Sequence, residues 1–186
     1  MNLLVIDISV LKIWNRYRET EESSDNRMSE DVAATSERIG DFLQIWRRPS
    51  QGFIKINTDA AMSKEGSVLA FIARNEKGET MHIHTFKSDV FIPEVAEMEA
   101  ILRAMQAATR FGWSKVSMES DAALVISSIT ARDFKSIHWT AEQFFKDILL
   151  LIPSFASIYF GWVPRRINGI ADYVGKRLVK IVSLVL

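Results

Sequence analysis

The sequence predicts an α/β domain built on a mixed five-stranded sheet, three antiparallel strands followed by two more, with helices packed on it. From about residue 50 onward, apolar residues repeat at strand period and then at helix period in the order βββαβααβα. Three consecutive strands are typical of an antiparallel meander, and strands separated by helices are typical of layered α/β domains. With 186 residues and a hydrophobic content of 48%, the chain is long enough to bury one full core.

The three predicted meander strands lie between residues 53 and 88. The run FIKINTDA is the first strand, and SVLAFIARNEKGETMHIHTFKS contains two more. Residues 75–78, Asn-Glu-Lys-Gly, have the composition of a tight turn in which glycine adopts a positive φ angle. We therefore expect the second and third strands to pair as a hairpin.

Helices alternate with strands in the rest of the chain. Residues 94–111 have helical period and stop at Gly112. The run KVSMESD then predicts a short strand, DAALVISSITA a short helix, and WTAEQFFKDILLLI a helix that Pro153 ends. A last strand, FASIYFGWV, precedes the helix NGIADYVGKRLVKIV, which Asn168 could cap.

Residues 1–45 differ in composition from the rest of the chain. The opening MNLLVIDISVLKIW is apolar, but it has no basic leader or small-residue cleavage site and is too short to span a bilayer, so we interpret it as an amphipathic helix or strand. The acid-rich run RETEESSDNRMSEDVAATSERIGD holds almost no large apolar residues. We therefore expect a divergent, partly disordered arm and polar linker over residues 1–45 and a single domain over residues 46–186.

Charge and cysteine content exclude several classes of protein. Residues 51–186 carry fourteen acidic and sixteen basic residues, and this net charge of +2 gives no bulk attraction to nucleic acid. The chain has no cysteine, which excludes disulfide frameworks and thiolate metal sites. We expect an intracellular protein, in the nucleus or the cytoplasm, with no membrane association and no obligate protein partner.

Two acidic residues occupy positions where packing alone would favour an apolar side chain. Asp59 lies in the first predicted strand, although aspartate is depleted in strands and its charge is costly near a core unless something binds it. Glu97 heads a helical stripe of small residues that would let the helix lie close to the sheet: Ala100, Ala104, Ala107 and Ala108. The alternative interpretation is that Glu97 only favours the positive end of its helix.

A neighbouring glutamate has a simpler explanation. Glu99 lies four residues before Arg103, on a polar stripe that also holds Gln106 and Arg110. We therefore expect Glu99 to form a solvated ion pair and not to bind a ligand.

Two further acidic residues lie at the ends of elements. Asp121 ends the strand KVSMESD, where it could cap the next helix or lie among ligands at the carboxyl end of the sheet. Asp172 lies in the first turn of the last helix, where the helix dipole favours an ionised carboxylate. On the first strand, Asn57 and Lys55 alternate with Asp59 on one face, so that either could approach a substrate or simply pack.

Four motifs follow one another along this chain: KINTDAA, AEMEAILRAMQAA, MESDAALVISSI and VPRRINGIADYVGK. In order and spacing they resemble the ribonuclease H type 1 family, and above all the ribonuclease H-like domain of plant non-LTR retroelement reverse transcriptases and related host proteins. The preceding WRRPSQGFIKIN is similar to the segment that leads into that family's first strand. The resemblance covers roughly residues 46–180 and implies a ribonuclease H-like fold.

The resemblance also implies an activity. The family's metal ligands fall on Asp59, Glu97, Asp121 and Asp172, which would hold two Mg²⁺ ions, with Mn²⁺ as a substitute. The implied enzyme is an endonuclease that hydrolyses the RNA strand of RNA–DNA hybrids by a two-metal mechanism and leaves 5′-phosphate and 3′-hydroxyl ends. Its partner would be an RNA–DNA hybrid or another nucleic acid.

Candidate nucleic-acid contacts lie close to these motifs. They are Asn57, Arg165, Arg166 and Asn168. The two arginines could contact phosphate, and a solvated loop pair is the alternative interpretation.

The chain departs from the family's pattern at three places. Trp162 stands where the family usually has a histidine that assists proton transfer or product release, and we favour packing at the strand end over base stacking as its role. We expect none of this chain's histidines to take over the role of the family's histidine, since His82, His84 and His138 fit ordinary half-exposed positions. The basic loop that many such enzymes use to grip the hybrid is missing after ITARDFKSIH, and Gly175 replaces the usual alanine at a cost of about 1 kcal/mol.

These departures keep a second function open. The domain could be a catalytically weak or inactive ribonuclease H-like module, derived from a retroelement, that binds nucleic acid or a protein partner.

Overall fold

The computed structural model of the protein describes residues 46–169, 171 and 175. The strands are β1 (Ile54–Ser63), β2 (Gly66–Arg74), β3 (Thr80–Ser88), β4 (Lys115–Ser120) and β5 (Ser157–Trp162). The helices are α1 (Pro93–Arg110), α2 (Ala123–Ala131) and α3 (Glu142–Leu151), with short 3-10 helices at Trp139–Ala141 and Ile152–Ser154. Within the described residues, no helix is long and apolar enough to cross a bilayer.

The strand pairing confirms the predicted mixed sheet. The five strands form one sheet in the order β3-β2-β1-β4-β5. β2 pairs antiparallel with both β1 and β3, so the meander is present as predicted. β4 joins β1 in parallel, β5 joins β4 in parallel, and α1 lies in the crossover that a parallel pair requires.

The turn between β2 and β3 forms where the sequence predicted it. The N–H of Gly78 donates to the carbonyl of Asn75 at 2.9 Å, and Gly78 has a φ angle of 83°. The Asn75 side chain accepts hydrogen bonds from the N–H groups of Lys77 and Glu79, both at 3.0 Å. An asparagine followed by a positive-φ glycine therefore closes this turn locally.

The turn between β1 and β2 depends on a close approach. Gly66 has a φ angle of 123°, and a Cβ atom at this position would lie 2.1 Å from the backbone oxygen of Ser88. A larger residue would therefore displace the end of β3.

The main core lies between one face of the sheet and α1. Ile56, Phe71 and Met118 from three strands are almost fully buried, together with Ile101 and Met105 of the helix. The predicted burial of the small residues of α1 is confirmed, since they are at most 8% exposed: Ala100, Ala104, Ala107 and Ala108. Small side chains let α1 lie close to the strands.

The segment before β1 packs on the sheet. The indole of Trp46 lies over the guanidinium of Arg74, 4.6 Å from the ring centroid, and its Nε1 donates to Asn57 Oδ1 at 3.3 Å. Lys55 Nζ donates to the backbone carbonyl of Arg47 at 2.7 Å. Trp46 and Arg47 therefore contact the two buried cations, Arg74 and Lys55.

Two predicted regions lie mainly outside the described residues. Residues 169, 171 and 175 are helical, in agreement with the predicted last helix. The remainder of that helix, including Asp172, and the predicted arm and linker over residues 1–45 are not among the described residues.

Candidate metal centre

Three of the four predicted metal ligands lie together at one edge of the sheet. Asp59, Glu97 and Asp121 each offer a carboxylate oxygen, and these atoms all lie within 4.8 Å of one another. Asp59 is buried, whereas the other two are half-buried. The fourth predicted ligand, Asp172, lies outside the described residues.

Parallel pairing explains why two of these carboxylates meet. Thr58 of β1 stands opposite Ser120 of β4 in the parallel ladder. Asp59 and Asp121 each follow one residue later, so that the two adjacent strands carry them to the same place, at the carboxyl end of their parallel pairing.

Helix α1 brings the third carboxylate, that of Glu97, next to the first two. Glu97 Oε1 accepts a hydrogen bond from the backbone N–H of Ala60 at 3.2 Å, and Ser120 Oγ lies 3.5 Å from Glu97 Oε2. Glu97 therefore reaches both β1 and β4 from the second turn of its helix.

Asp121 is held from the side by an amide. Asn168 Nδ2 donates to Asp121 Oδ1 at 2.9 Å and to the backbone carbonyl of Thr58 at 2.7 Å. Asn168 is 1% exposed, so the prediction that it contacts nucleic acid is wrong. The residue acts instead as a positioning residue that ties the loop after β5 to the middle of β1.

The alternative role of Asp121 as a helix cap is contradicted. Helix α2 has Ala122 at its N-cap and no capping hydrogen bond from a side chain. The N–H of Ala122 donates instead to Ser120 Oγ at 3.1 Å. The Asp121 carboxylate is thus left to the cluster and to Asn168.

The electrostatics of the cluster favour a bound cation. Burial raises the pKa of Glu97 well above its usual value, and the charges of Asp59 and Asp121 raise it further. The N–H of Ala60 and the charge of Arg165 act in the opposite direction but do not cancel this effect. A divalent cation would relieve the repulsion, and carboxylate oxygens are the ligands that Mg²⁺ prefers, so the donor set fits the metal that the sequence implied.

Glu99 is satisfied by its own partners, as predicted, but it is not solvated. Arg103 Nη2 lies 2.9 Å from Glu99 Oε1, which confirms the ion pair. Ser88 Oγ donates to Glu99 Oε2 at 2.5 Å, and Glu99 is only 5% exposed. The expectation of exposure is wrong because β3 ends beside the helix and covers this glutamate.

Asn57 belongs to a buried polar network and does not face a substrate. Its Oδ1 accepts from Trp46 Nε1 and from Arg74 Nη1, at 3.3 Å and 3.2 Å, and its Nδ2 donates to Glu119 Oε2 at 3.1 Å. Because Asn57 is 2% exposed, its predicted contact with nucleic acid is wrong, and packing, the alternative interpretation, holds. Lys55, 7% exposed, is likewise internal, paired with Glu119 at 2.6 Å.

Sequence reasoning missed Glu119 as the centre of this network. It stands opposite Asn57 in the parallel ladder, beside two cations of β1 and β2. Burial lowers the pKa of Arg74 to about 10, although the charge of Glu119 acts against this shift. Only the register of β1 with β4 reveals the pairing, and a single sequence does not give that register.

The end of β5 carries an aromatic ring, and the loop after it carries two cations. Trp162 Nε1 donates to the backbone carbonyl of Asp121 at 3.2 Å. The tryptophan is 51% exposed, so the expected packing at the strand end covers only about half of its surface. Arg165 and Arg166 are exposed, and the charge of Arg165 acts on Glu97.

The histidines lie away from the cluster, at half-exposed positions, as predicted. His82 stacks on Phe111 with centroids 4.2 Å apart, and His84 stacks on Phe71 at 5.2 Å. His138 caps the 3-10 helix Trp139–Ala141 by accepting from the N–H of Thr140.

The fold is shared with several solved ribonucleases H. RNase H1 from the halophilic archaeon Halobacterium salinarum NRC-1 superposes with a TM-score of 0.61 at 17% identity, over 69% of this chain and 98% of the archaeal one. LC11-RNase H1, isolated from compost by a metagenomic approach, gives a TM-score of 0.64 at 22% identity, over 71% of this chain and 99% of its own. The crystal structure of LC11-RNase H1 in complex with an RNA/DNA hybrid gives 0.62 at 22% identity, over 69% and 98%.

Sequence comparison gives the family. No curated protein matches the chain in sequence. The family model described as reverse transcriptase-like matches residues 57–178, which is more than half of the chain and includes all four predicted ligands. The protein therefore has a ribonuclease H-like fold and belongs to the reverse transcriptase-like family.

Proposed function

We propose that the protein is a divalent-metal-dependent endonuclease that hydrolyses the RNA strand of RNA–DNA hybrids. The observation that carries the proposal is the convergence of three carboxylates, from β1, α1 and the end of β4, within 4.8 Å. Family membership supports it, as does the likeness to ribonucleases H, one of them solved with an RNA/DNA hybrid.

Four carboxylates would hold the metal in this proposal. Asp59, Glu97 and Asp121 are the ligands within the described residues, and Asp172 is added as a fourth from the sequence motif alone. The chemistry supplied by two bound Mg²⁺ ions would be neutralisation of these charges and Lewis-acid assistance to phosphodiester hydrolysis, with Mn²⁺ as a substitute.

The chain's own residues orient this set and attract the substrate. Asn168 fixes the Asp121 carboxylate, and the N–H of Ala60 fixes Glu97, so both carboxylates are held by neutral donors before a cation arrives. Arg165 and Arg166 are the proposed contacts to the phosphate backbone. Discrimination of the RNA strand would depend on its 2′-hydroxyl groups.

The test is cleavage of an end-labelled RNA–DNA hybrid by the full chain with Mg²⁺, with EDTA as the metal-free control. We expect cuts in the RNA strand alone, with 5′-phosphate and 3′-hydroxyl ends. Asp59→Asn and Asp121→Asn should each reduce the rate by roughly 100-fold or more, because even the loss of a group that supports a metal ligand costs roughly 10- to 100-fold.

A matched control comes from the same helix. Glu94 accepts a hydrogen bond from the backbone N–H of His138 at 3.2 Å, which a glutamine can also accept. Glu94→Gln should therefore cleave at the wild-type rate, whereas Glu97→Gln should not. If the purified chain binds the hybrid but never cuts it with Mg²⁺ or Mn²⁺, the binding-module alternative replaces the enzyme.

A further inference from the structure

Trp162 is an exposed aromatic residue fixed at the edge of the carboxylate cluster. It is 51% exposed at the end of β5, so about half of its surface is covered and the other half faces solvent. Its one polar atom, Nε1, donates to the carbonyl of Asp121 at 3.2 Å. This bond anchors the indole beside a proposed metal ligand while much of the ring surface remains in water.

The surroundings of the ring match the parts of a nucleotide. A metal-loaded carboxylate cluster attracts phosphate, and Arg165 and Arg166, three and four residues after the tryptophan, are exposed cations on the loop that follows it. An aromatic face between such groups binds a base by stacking, without regard to its identity.

We propose that Trp162 is a stacking subsite for an unpaired nucleobase next to the phosphate held at the cluster. A base inside a continuous duplex already has both faces covered by its neighbours, so only a frayed, single-stranded or terminal nucleotide offers a free face. The site should therefore favour strand ends and single-stranded junctions. The location of this subsite rests on the proposed function, but base stacking itself does not require hydrolysis.

The experiment measures binding by the full chain with Mg²⁺, using a short single-stranded DNA that contains 2-aminopurine. DNA carries no RNA strand to be cut, so binding is scored apart from cleavage. We expect quenching of the 2-aminopurine fluorescence by the wild type. Trp162→Ala should lose the quenching and bind roughly 5- to 100-fold more weakly, and Trp162→Phe should keep most of the affinity.

A control aromatic residue is available on the same strand. Tyr159 is 62% exposed, stacks on Phe53 and lies three residues before Trp162, on the opposite face of the sheet. Tyr159→Ala should bind like the wild type, and Trp162→Ala should change the affinity for a relaxed, covalently closed circular DNA duplex, which has no strand ends, by less than about twofold. Thermal melting of each variant shows whether it is folded.

The outcomes separate the two proposals. If a folded Trp162→Ala binds the single strand as well as the wild type does, or if Tyr159→Ala loses as much affinity, the stacking subsite is refuted even when hybrid cleavage is observed. If the wild type binds and quenches the labelled strand but never cuts a hybrid, the subsite stands and the enzymatic proposal falls.

Discussion

Glu97 and Glu99 lie two residues apart on α1, yet their surroundings are opposite. Glu97 faces two other carboxylates, and burial together with those charges raises its pKa. Glu99 is more deeply buried but lies against Arg103 and Ser88, which compensate its charge. In the metal-free protein, the carboxylate of Glu97 is therefore repelled by its neighbours, whereas the carboxylate of Glu99 is paired.

This contrast predicts opposite effects of two isosteric changes on the metal-free melting temperature at neutral pH. Glu97→Gln should raise it, because the repulsion is removed while the N–H of Ala60 keeps an acceptor. Glu99→Gln should lower it by about 4–8 °C, as expected for losing a hydrogen-bonded charge pair of about 2 kcal/mol. Differential scanning fluorimetry in EDTA measures both.

The pH dependence of the Glu97→Gln effect on stability tests whether charge repulsion is its cause. Since the folded state raises the pKa of Glu97, it holds this proton more tightly than the unfolded state does, and the stability from Glu97 declines as pH rises from about 4.5 through the folded pKa. The advantage of Glu97→Gln should vanish near pH 4 and grow towards neutrality. An advantage independent of pH would show that charge is not its cause.

His84 should give the fold a second, opposite pH dependence. Burial, and then the neighbouring His82, lower the pKa of His84 from its ordinary value of 6.5. The folded state therefore binds this proton less readily, and the free energy of unfolding should fall as pH drops below about 6.5. His84→Phe, which keeps an aromatic ring against Phe71, should remove that part of the slope in urea titrations.

At the scale of elements, the last helix approaches β1 through a glycine. A Cβ atom on Gly175 would lie 3.2 Å from Ala61 Cβ and 3.4 Å from Asp59 Oδ2. From the sequence alone, this glycine only replaces the family's usual alanine and weakens the helix by about 1 kcal/mol. The structure supplies a reason for it, since the glycine leaves room beside a proposed metal ligand.

Gly175→Ala should therefore weaken Mg²⁺ binding, because the added methyl group, 3.2 Å from Ala61 Cβ, would crowd β1 beside the Asp59 carboxylate. The gain in helix propensity, about 1 kcal/mol, should offset the crowding and leave the melting temperature little changed. Isothermal titration with Mg²⁺ tests this. Gly169→Ala, where a Cβ would meet nothing within 4 Å, is the control, and an equal loss of affinity in both variants would argue against crowding at Asp59.

The segment that precedes β1 should contribute to stability as an element of the domain. Trp46 covers the cations of Arg74 and Lys55 and donates to Asn57. Trp46→Ala should cost about 3 kcal/mol in urea unfolding, the lower end of the range for losing a packed tryptophan. Trp139, which is 74% exposed, provides a comparison in which alanine should change little. Similar losses in the free energy of unfolding in the two variants would mean that the contacts of Trp46 with the sheet do not stabilise the domain.

At the scale of the whole molecule, the sequence predicted the element order, the mixed sheet and three carboxylates that the structure brings together. The hydrophobic period and the turn residues are local signals that predict the elements, and the family motifs predicted which carboxylates come together. The sequence did not reveal the burial of Asn57 and Asn168, because their partners, Glu119 and Thr58, are set by strand register and by a loop that returns from the far end of the chain. It also did not reveal that Trp162 is half exposed, because a tryptophan ending a strand gives no local signal of how much of its ring is covered.

The parallel pairing of β1 with β4 also has a kinetic consequence. The β1, β2 and β3 meander is closed by short turns, so it can form early, whereas Asp59 and Asp121 meet only after the chain through α1 has crossed back to add β4. A fragment ending before Lys115 would keep two of the three clustered carboxylates but not the arrangement. Magnesium should therefore bind the completed fold and not early intermediates. In kinetic measurements, it should lower the unfolding rate more than it raises the folding rate.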